Sequence, residues 1–528
     1  MKRILFIFIF STSLFHYYSQ GFRTRFKEPH AADNSARAIF EINAGNYIGA
    51  GFATDTSSGF SRSSITVMGL DAQGQVQWVK KHHGGSIEYI NNPFSRRCFY
   101  KQGNYLYYAG AARDSSGGNG RMYGVLIKYN LNGDTLWRKM YHGVDSLEDV
   151  VPQMVTTSID GGFLMTGFFQ HWGGSGGRPC LLIKTDGNGN ELWRQHINKT
   201  GHNVSDGKAI VQDSASKKIA IVGYQYIGTP NNFYHSDHIL VTDSLGIKLF
   251  QGKYTTNGGI ANDLIQTSDK KLVMVGYQFY PELIGGSPTL KSFAAKFNID
   301  SPATPIWKVN GFDKQGLHNG FTCAVGLKNG DVLVGGLIDT IYGTINGPLN
   351  AVTNDLSRLT VINSNGQVKW NRYYDYKKND SVIPNNQGPR SINLCNNGDW
   401  VASIGEFNYG VNPFFFVKYD STGCDSTLEY CEMLTSVGLN EKEPVNNLIR
   451  LFPNPFKNEI NIRINNGHTI SEFLGFRITN VLGKTLIEGN LNEHLNIKPI
   501  NLSELPTGVY FFETKIDNRN YHFKILKE

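Results

Sequence analysis

Along almost the whole chain, apolar residues either alternate with polar ones or run in short blocks, and tight Gly- or Asn-rich breaks separate them. Leu181–Trp193 shows the pattern. An apolar run, Leu-Leu-Ile-Lys, enters the turn Asp-Gly-Asn-Gly-Asn, and a second run leaves it carrying a Trp. Period-two alternation bounded by turn residues predicts strand, turn and strand. The same arrangement returns at Val67–Trp78, Gly124–Trp137 and Leu359–Trp370. No long stretch places apolar residues at helical spacing, so the chain reads all-β.

Each unit predicts four strands. The second runs to a glycine, at Gly51, Gly110, Gly167, Gly223, Gly276, Gly336 and Gly405. The fourth carries Trp78, Trp137, Trp193, Trp307 or Trp370, with Phe250 in that slot in the fourth copy. The steps between these aromatics are 59, 56, 57, 57 and 63 residues. A near-constant step with one large aromatic per unit predicts radially stacked sheets, a seven-bladed β-propeller between about Asn34 and Cys424. One four-stranded sheet cannot cover both its faces, so each must pack on a neighbour. The seventh copy lacks its Trp strand. Either Thr427–Tyr430 or the alternating Phe22–Phe26 can supply it, and the second choice closes the ring with both chain ends.

Composition agrees. Charged residues make up 18% of the 528, while 58 glycines and 12% aromatics suit short strands and tight turns. The net charge of +7 comes from scattered pairs such as Lys80-Lys81 and Lys377-Lys378. A nucleic-acid footprint needs clustered cations, so none is expected. Lys2-Arg3 followed by the apolar Ile4–Phe15 predicts a signal peptide over residues 1–20. No further apolar run reaches membrane-spanning length. Propeller, linker and a small β-sandwich are expected over 21–432, 433–448 and 449–528. An exported chain can keep disulfides, and Cys424 with Cys431 is the expected pair. Cys98, Cys323 and Cys395 read as small buried residues of first strands.

The repeats resemble the blades of secreted β-propellers. One such family ends each blade in Asp-x-x-x-Gly-x-x-x-Trp around a quinone. The turn here is one residue shorter, as in Asp71–Trp78, so the resemblance is architectural. The last 80 or so residues carry Pro453-Asn454-Pro455, then Val481-Leu482-Gly483-Lys484, then Leu505-Pro506-Thr507-Gly508-Val509-Tyr510. This series resembles the type A C-terminal sorting domain of the type IX secretion system of Bacteroidetes-type bacteria. The resemblance implies secretion machinery as a partner, export to the cell surface or medium, and removal of the module.

Chemistry-bearing motifs are few. Gly173–Gly177 matches Gly-x-Ser-x-Gly but lies between strands, without the helix a nucleophile elbow needs. Asp186–Asn190 offers alternate oxygens yet reads as a hairpin turn. His235-Ser236-Asp237-His238 alternates its imidazoles to opposite sides of a strand. No cofactor, metal or catalytic set is expected. The second-to-third connections are long and dissimilar, among them Phe169–Arg178, Gln225–Asp237, Gln278–Leu290 and Ile338–Asn354. Read as loops, they place His171, Trp172, Phe233, Tyr234, Tyr280 and Tyr342 on one face, where flat rings could meet a sugar. The expected function is a non-catalytic surface or extracellular binding module for a glycan or protein. The alternative is a secreted polysaccharide-acting enzyme.

Overall fold

The computed structural model describes residues 21–424 and 449–528, except residues 30, 56–61, 84–86, 92–96, 115–119, 146, 172–178, 198–204, 230–231, 285–286, 311–318, 345–350, 375, 377–385, 408–411, 465–474, 481–483, 491–498 and 517–518. The predicted signal peptide, Trp172, Gly173–Gly177, Thr427–Tyr430 and Cys431 lie outside the described residues. The chain divides into two compact units, Met1–Thr435 and Ser436–Glu528.

The first unit contains seven antiparallel sheets among the described residues. In chain order six span Ala31–His82, Ile87–Tyr141, Glu148–Ile197, Ser205–Gly252, Gly259–Asn310 and Asn319–Tyr374. The seventh takes Asn386–Leu394, Trp400–Phe407 and Phe414–Tyr419 from the end of the repeats and Phe22–Phe26 from the start. Phe22 to Phe26 run antiparallel to Lys418 to Phe414, so the fourth strand of the last blade comes from the N-terminal side of the first blade. Buried apolar clusters fill each gap between neighbouring sheets. The last of these joins Phe22, Phe414 and Phe416 to Ala36, Tyr47 and Met68 of blade one, and so closes the ring.

Two repeated joints explain the sequence pattern. Trp78, Trp137, Trp193, Trp307 and Trp370 are half-buried, and each lies against the left-handed turn glycine of the following blade. A Cβ on Gly133 or Gly189 would sit 2.7 or 2.8 Å from the indole of Trp78 or Trp137. Glycine serves twice there, through its positive φ and its missing side chain. At the closing joint Phe22 takes the indole's place: a Cβ on Gly74 would sit 2.5 Å from its ring. A hydroxyl four residues past the aromatic often adds a bond: Tyr141 Oη donates to Gly189 O at 2.7 Å, and Tyr254 Oη to Pro302 O at 2.7 Å.

The glycine of the second strand in blades one and three to six has a different origin. It does not end the strand, which continues past it; it lies opposite a bulge in the innermost strand. The register breaks fall at Ala36/Ala38, Pro152/Met154, Gly207/Ala209, Ala261/Asp263 and Phe321/Cys323; in blade seven the break at Pro389/Ser391 lies one pair beyond Gly405. The bulge brings a carbonyl over the facing glycine. A Cβ would meet Ser35 O at 2.1 Å on Gly51, Val151 O at 2.0 Å on Gly167, and Asp206 O at 1.7 Å on Gly223.

The second unit packs a three-stranded sheet and a four-stranded sheet around Phe456, Ile460, Ile478, Phe512 and Ile525, a small β-sandwich. Its sequence motif is structural. Asn454 Nδ2 donates to Lys524 O at 2.9 Å, and its Oδ1 accepts from Leu526 N at 2.8 Å, between Pro453 and Pro455. Lys484 N donates to Asn480 Oδ1 at 3.0 Å; Gly483 lies outside the described residues. The buried Tyr510, in the strand that starts at Gly508, donates its hydroxyl to Pro506 O at 2.6 Å.

Candidate functional site

Antiparallel order puts the first and third hairpins of every blade on one face and the second hairpin on the other. On the first face the turns are uniform, because an Asp or Asn side chain binds two amides of its own turn. Asp186 Oδ1 accepts from Asn188 N at 2.9 Å and Asn190 N at 2.7 Å; Asp71, Asp243 and Asn363 repeat this. Those amides hold the Asp186 carboxyl below its usual range, the Asn190 side-chain bond being the first cause. The carboxylate is committed to the turn.

The other face differs from the loop picture. Gln225–Asp237, Gln278–Leu290 and Ile338–Asn354 continue the strands instead of leaving them. Blades four, five and six project paired hairpins, Ile219–Thr229 with Asn232–Thr242, Leu272–Ile284 with Ser287–Phe297, and Val332–Thr344 with Ala351–Ile362. The reason is local: Tyr, Phe, Ile and Thr alternate with polar residues there, a strand composition whatever the length. Tyr234 pairs with Ile227, Tyr280 with Thr289 and Tyr342 with Val352, so these three stand on hairpin backbones. His171 ends the strand Phe163–His171, its imidazole 3.4 Å from the Asp145 carboxylate with both half-exposed.

At the root of these hairpins the structure joins His235, from the imidazole run noted in the sequence, to rings the sequence did not mark. The His235 and Tyr224 rings lie 4.9 Å apart, Phe279 of blade five stands 6.4 Å from His235, and Tyr277 meets Phe279 edge-on at 6.0 Å. This row of rings crosses from blade four to blade five. Beneath it, Lys208 Nζ lies 5.3 Å from the Tyr224 ring and donates to Gln153 Oε1 at 2.9 Å. Gln153 in turn donates to Asp206 at 2.8 Å. Burial, and then the Lys208 charge, lower the His235 pKa, so this imidazole is neutral near neutral pH. His238, three residues on, is fully buried and pushed down to about 4 by desolvation. The two imidazoles of this run do not form a pair.

Toward the ring axis lie the bulge residues Arg37, Gln153, Lys208, Asn262, Thr322 and Arg390, all buried. Blade two has no continuous inner strand: Ile87–Tyr89 and Phe99–Gln102 both pair with Tyr105–Asp114. Arg97, just before the second piece, reaches the far side of the ring. Its guanidinium lies 2.9 Å from the fully buried Asp263 carboxylate and also donates to Ala324 O. Desolvation raises the Asp263 pKa, and Arg97 opposes that shift.

Among the described residues no three His, Cys, Asp or Glu side chains group to hold a metal ion. Cys98, Cys180, Cys323 and Cys395 are buried. Burial pushes the Cys98 thiol up to about 11 and those of Cys180 and Cys395 up to about 12, the behaviour of packed residues and not of nucleophiles. Cys424 is disulfide-bonded.

Residues 450–528 match the secretion system C-terminal sorting domain family. No curated protein matches the chain. Among solved structures, the chain is similar to a PL25 ulvan lyase bound to -[GlcA(1-4)Rha3S]-, with 9% identity, 75% of this chain and 96% of that one covered, and a TM-score of 0.43. It is also similar to a DUF4221 member from Bacteroides vulgatus, at 10% identity, 76% and 96% coverage and a TM-score of 0.33. A xylan β-1,4-xylosidase from Bacillus halodurans C-125 gives 10% identity, 76% and 98% coverage and a TM-score of 0.29. Likenesses this distant do not bear on activity. The sandwich with its Asn454 and Tyr510 contacts, and the family match over the same residues, make the C-terminal unit a sorting domain, and the chain a β-propeller protein exported by the type IX secretion system to the cell surface or the medium.

Proposed function

We propose that the propeller is a non-catalytic binding module whose ligand, a glycan, is met by the hairpin face of blades four to six. One observation carries this reading: the row of rings formed by Tyr224, His235, Phe279 and Tyr277 at the root of two projecting hairpins. The half-buried Tyr277 and Phe279 rings present apolar area at little entropic cost, the buried Tyr224 backs His235, and that neutral imidazole adds a donor and an acceptor beside them. Lys208 and Gln153 hold the Tyr224 end of the row in place from below. Residues on separate rigid strands keep their spacing when a ligand arrives.

A second reading, a polysaccharide-acting enzyme, draws on blade three. There His196 Nδ1 lies 3.3 Å from Glu148 and His171 Nε2 lies 3.4 Å from Asp145, two imidazole–carboxylate pairs on the hairpin side. A glycan array probed with the mature chain, together with assays for new chain ends in the same polysaccharides, separates the readings. Binding without product is expected. Product that disappears in Glu148→Gln or His171→Ala would replace the binding module with an enzyme, and an array with no signal would remove the glycan.

A further inference from the structure

The repeats allow each blade to be compared with its own siblings, and the third hairpin of blade four stands apart. In blade one this hairpin reads Asp71-Ala72-Gln73-Gly74-Gln75-Val76-Gln77-Trp78; in blade four it reads Asp243-Ser244-Leu245-Gly246-Ile247-Lys248-Leu249-Phe250. The backbone is the same, since Asp71 and Asp243 each bind two turn amides and Gly74 and Gly246 each hold a left-handed φ. Three glutamines have become Leu245, Ile247 and Leu249, and they are 61%, 53% and 54% exposed. Nothing in the ring requires aliphatic side chains there, because blades one, two, three and six fill the first two positions with polar residues.

Lysines surround this hairpin, interspersed with carboxylates that are already engaged: Asp213 and Asp243 bind their own turn amides, Asp269 pairs with Lys296 and Asp300 with Lys218. In the first hairpins of blades one, two, three, six and seven the left-handed residue is Gly45, Gly103, Gly161, Gly330 and Gly398; in blades four and five it is Lys217 and Lys270, at φ 60° and 62°. A non-glycine residue in that region carries strain that glycine would relieve. These hairpins open on the same face as Leu245 and Ile247, and Lys248 and Lys271 join them.

We infer that the short-turn face at blades four and five docks on an anionic lipid surface. Aliphatic side chains at the tip of a rigid turn enter the headgroup–acyl boundary, while lysine stems lie along it and place their ammonium groups at the phosphates. A protein partner would favour Trp, Tyr and Arg at the centre of such a patch. The chain's export to the cell surface or the medium takes this face out of the cytoplasm.

The test uses the mature chain and vesicles of phosphatidylcholine alone or mixed with phosphatidylglycerol. The variant Leu245→Gln/Ile247→Gln/Leu249→Gln copies blade one and keeps the turn intact. The wild type should co-sediment with the phosphatidylglycerol vesicles, and the triple variant should partition at least about tenfold less. Lys217→Gly/Lys270→Gly, which copies blade three, should weaken anionic binding and flatten its salt dependence. No partition of the wild type, or equal partition of the triple variant, would overturn the inference. So would concentration-dependent dimerisation that the triple variant abolishes without vesicle binding, because the patch would then serve a second copy.

Discussion

The two faces of the ring were built under different constraints. On the short-turn face five blades are fastened to the next by a left-handed glycine under the neighbour's indole, some add a tyrosine hydroxyl to a turn carbonyl, and an Asp or Asn ties its own amides. The repeats agree there because every copy must satisfy the same joint. On the hairpin face blades four to six project paired strands, and the copies differ in length and composition. Agreement between repeats therefore marks fastening, and divergence marks freedom to bind. Leu245 and Ile247 diverge on the constrained face, which is why they call for a reason.

This contrast can be broken by substitutions that cost stability without touching the hairpins. The largest effect is expected at the axis. Arg97→Ala would leave the fully buried Asp263 carboxylate without its cation, at a cost of about 3–5 kcal/mol in chemical denaturation. Gly167→Ala places a Cβ against the Val151 carbonyl, and backbone cannot yield as a side chain can, so about 3 kcal/mol is expected. Glycan binding by the folded fraction should survive both.

A pH dependence comes next. His238 is neutral in the folded ring with its pKa pushed down to about 4, while the unfolded chain titrates near 6.5. Between those values the unfolded state binds more protons, so this contribution is whole above pH 6.5 and is lost as pH falls toward 4. Moving from pH 7 to pH 5 should remove about 2 kcal/mol. His238→Leu, the residue that faces the glycine in blade three, should abolish that slope in urea titrations at the two pH values. The smallest effect on stability is expected from Tyr141→Phe, about 1 kcal/mol for one hydroxyl-to-carbonyl bond, read as a shift in the thermal midpoint.

Much of this was legible in the chain. The Trp slot, the Asn-Gly and Asp-Gly turns and the Pro453–Tyr510 motif series are local patterns, and local patterns survive in one dimension. Phe22–Phe26 was legible as a strand by its alternation, and as a closing strand because the seventh copy lacked one. Arg97 with Asp263 was not, because 166 residues separate them and no periodicity joins the two. The row from Tyr224 to Phe279 was hidden likewise: its members come from different blades and meet only when the ring closes. The hairpins were read as loops because Gly, Asn and Pro interrupt their tips, although the flanking Tyr, Ile and Thr already carried strand character.

The central claim, that the hairpin face carries the binding, has a direct test. In the trimmed chain, residues Tyr226–His235 are replaced by Asn-Gly, so that Gln225 and its partner Ser236 are joined by a two-residue turn. The mature and trimmed chains are then read on the same glycan array and in the same thermal melt. The account predicts that the trimmed chain loses the array signals of the mature chain while its melting midpoint stays in place. Unchanged array signals from the trimmed chain would contradict it.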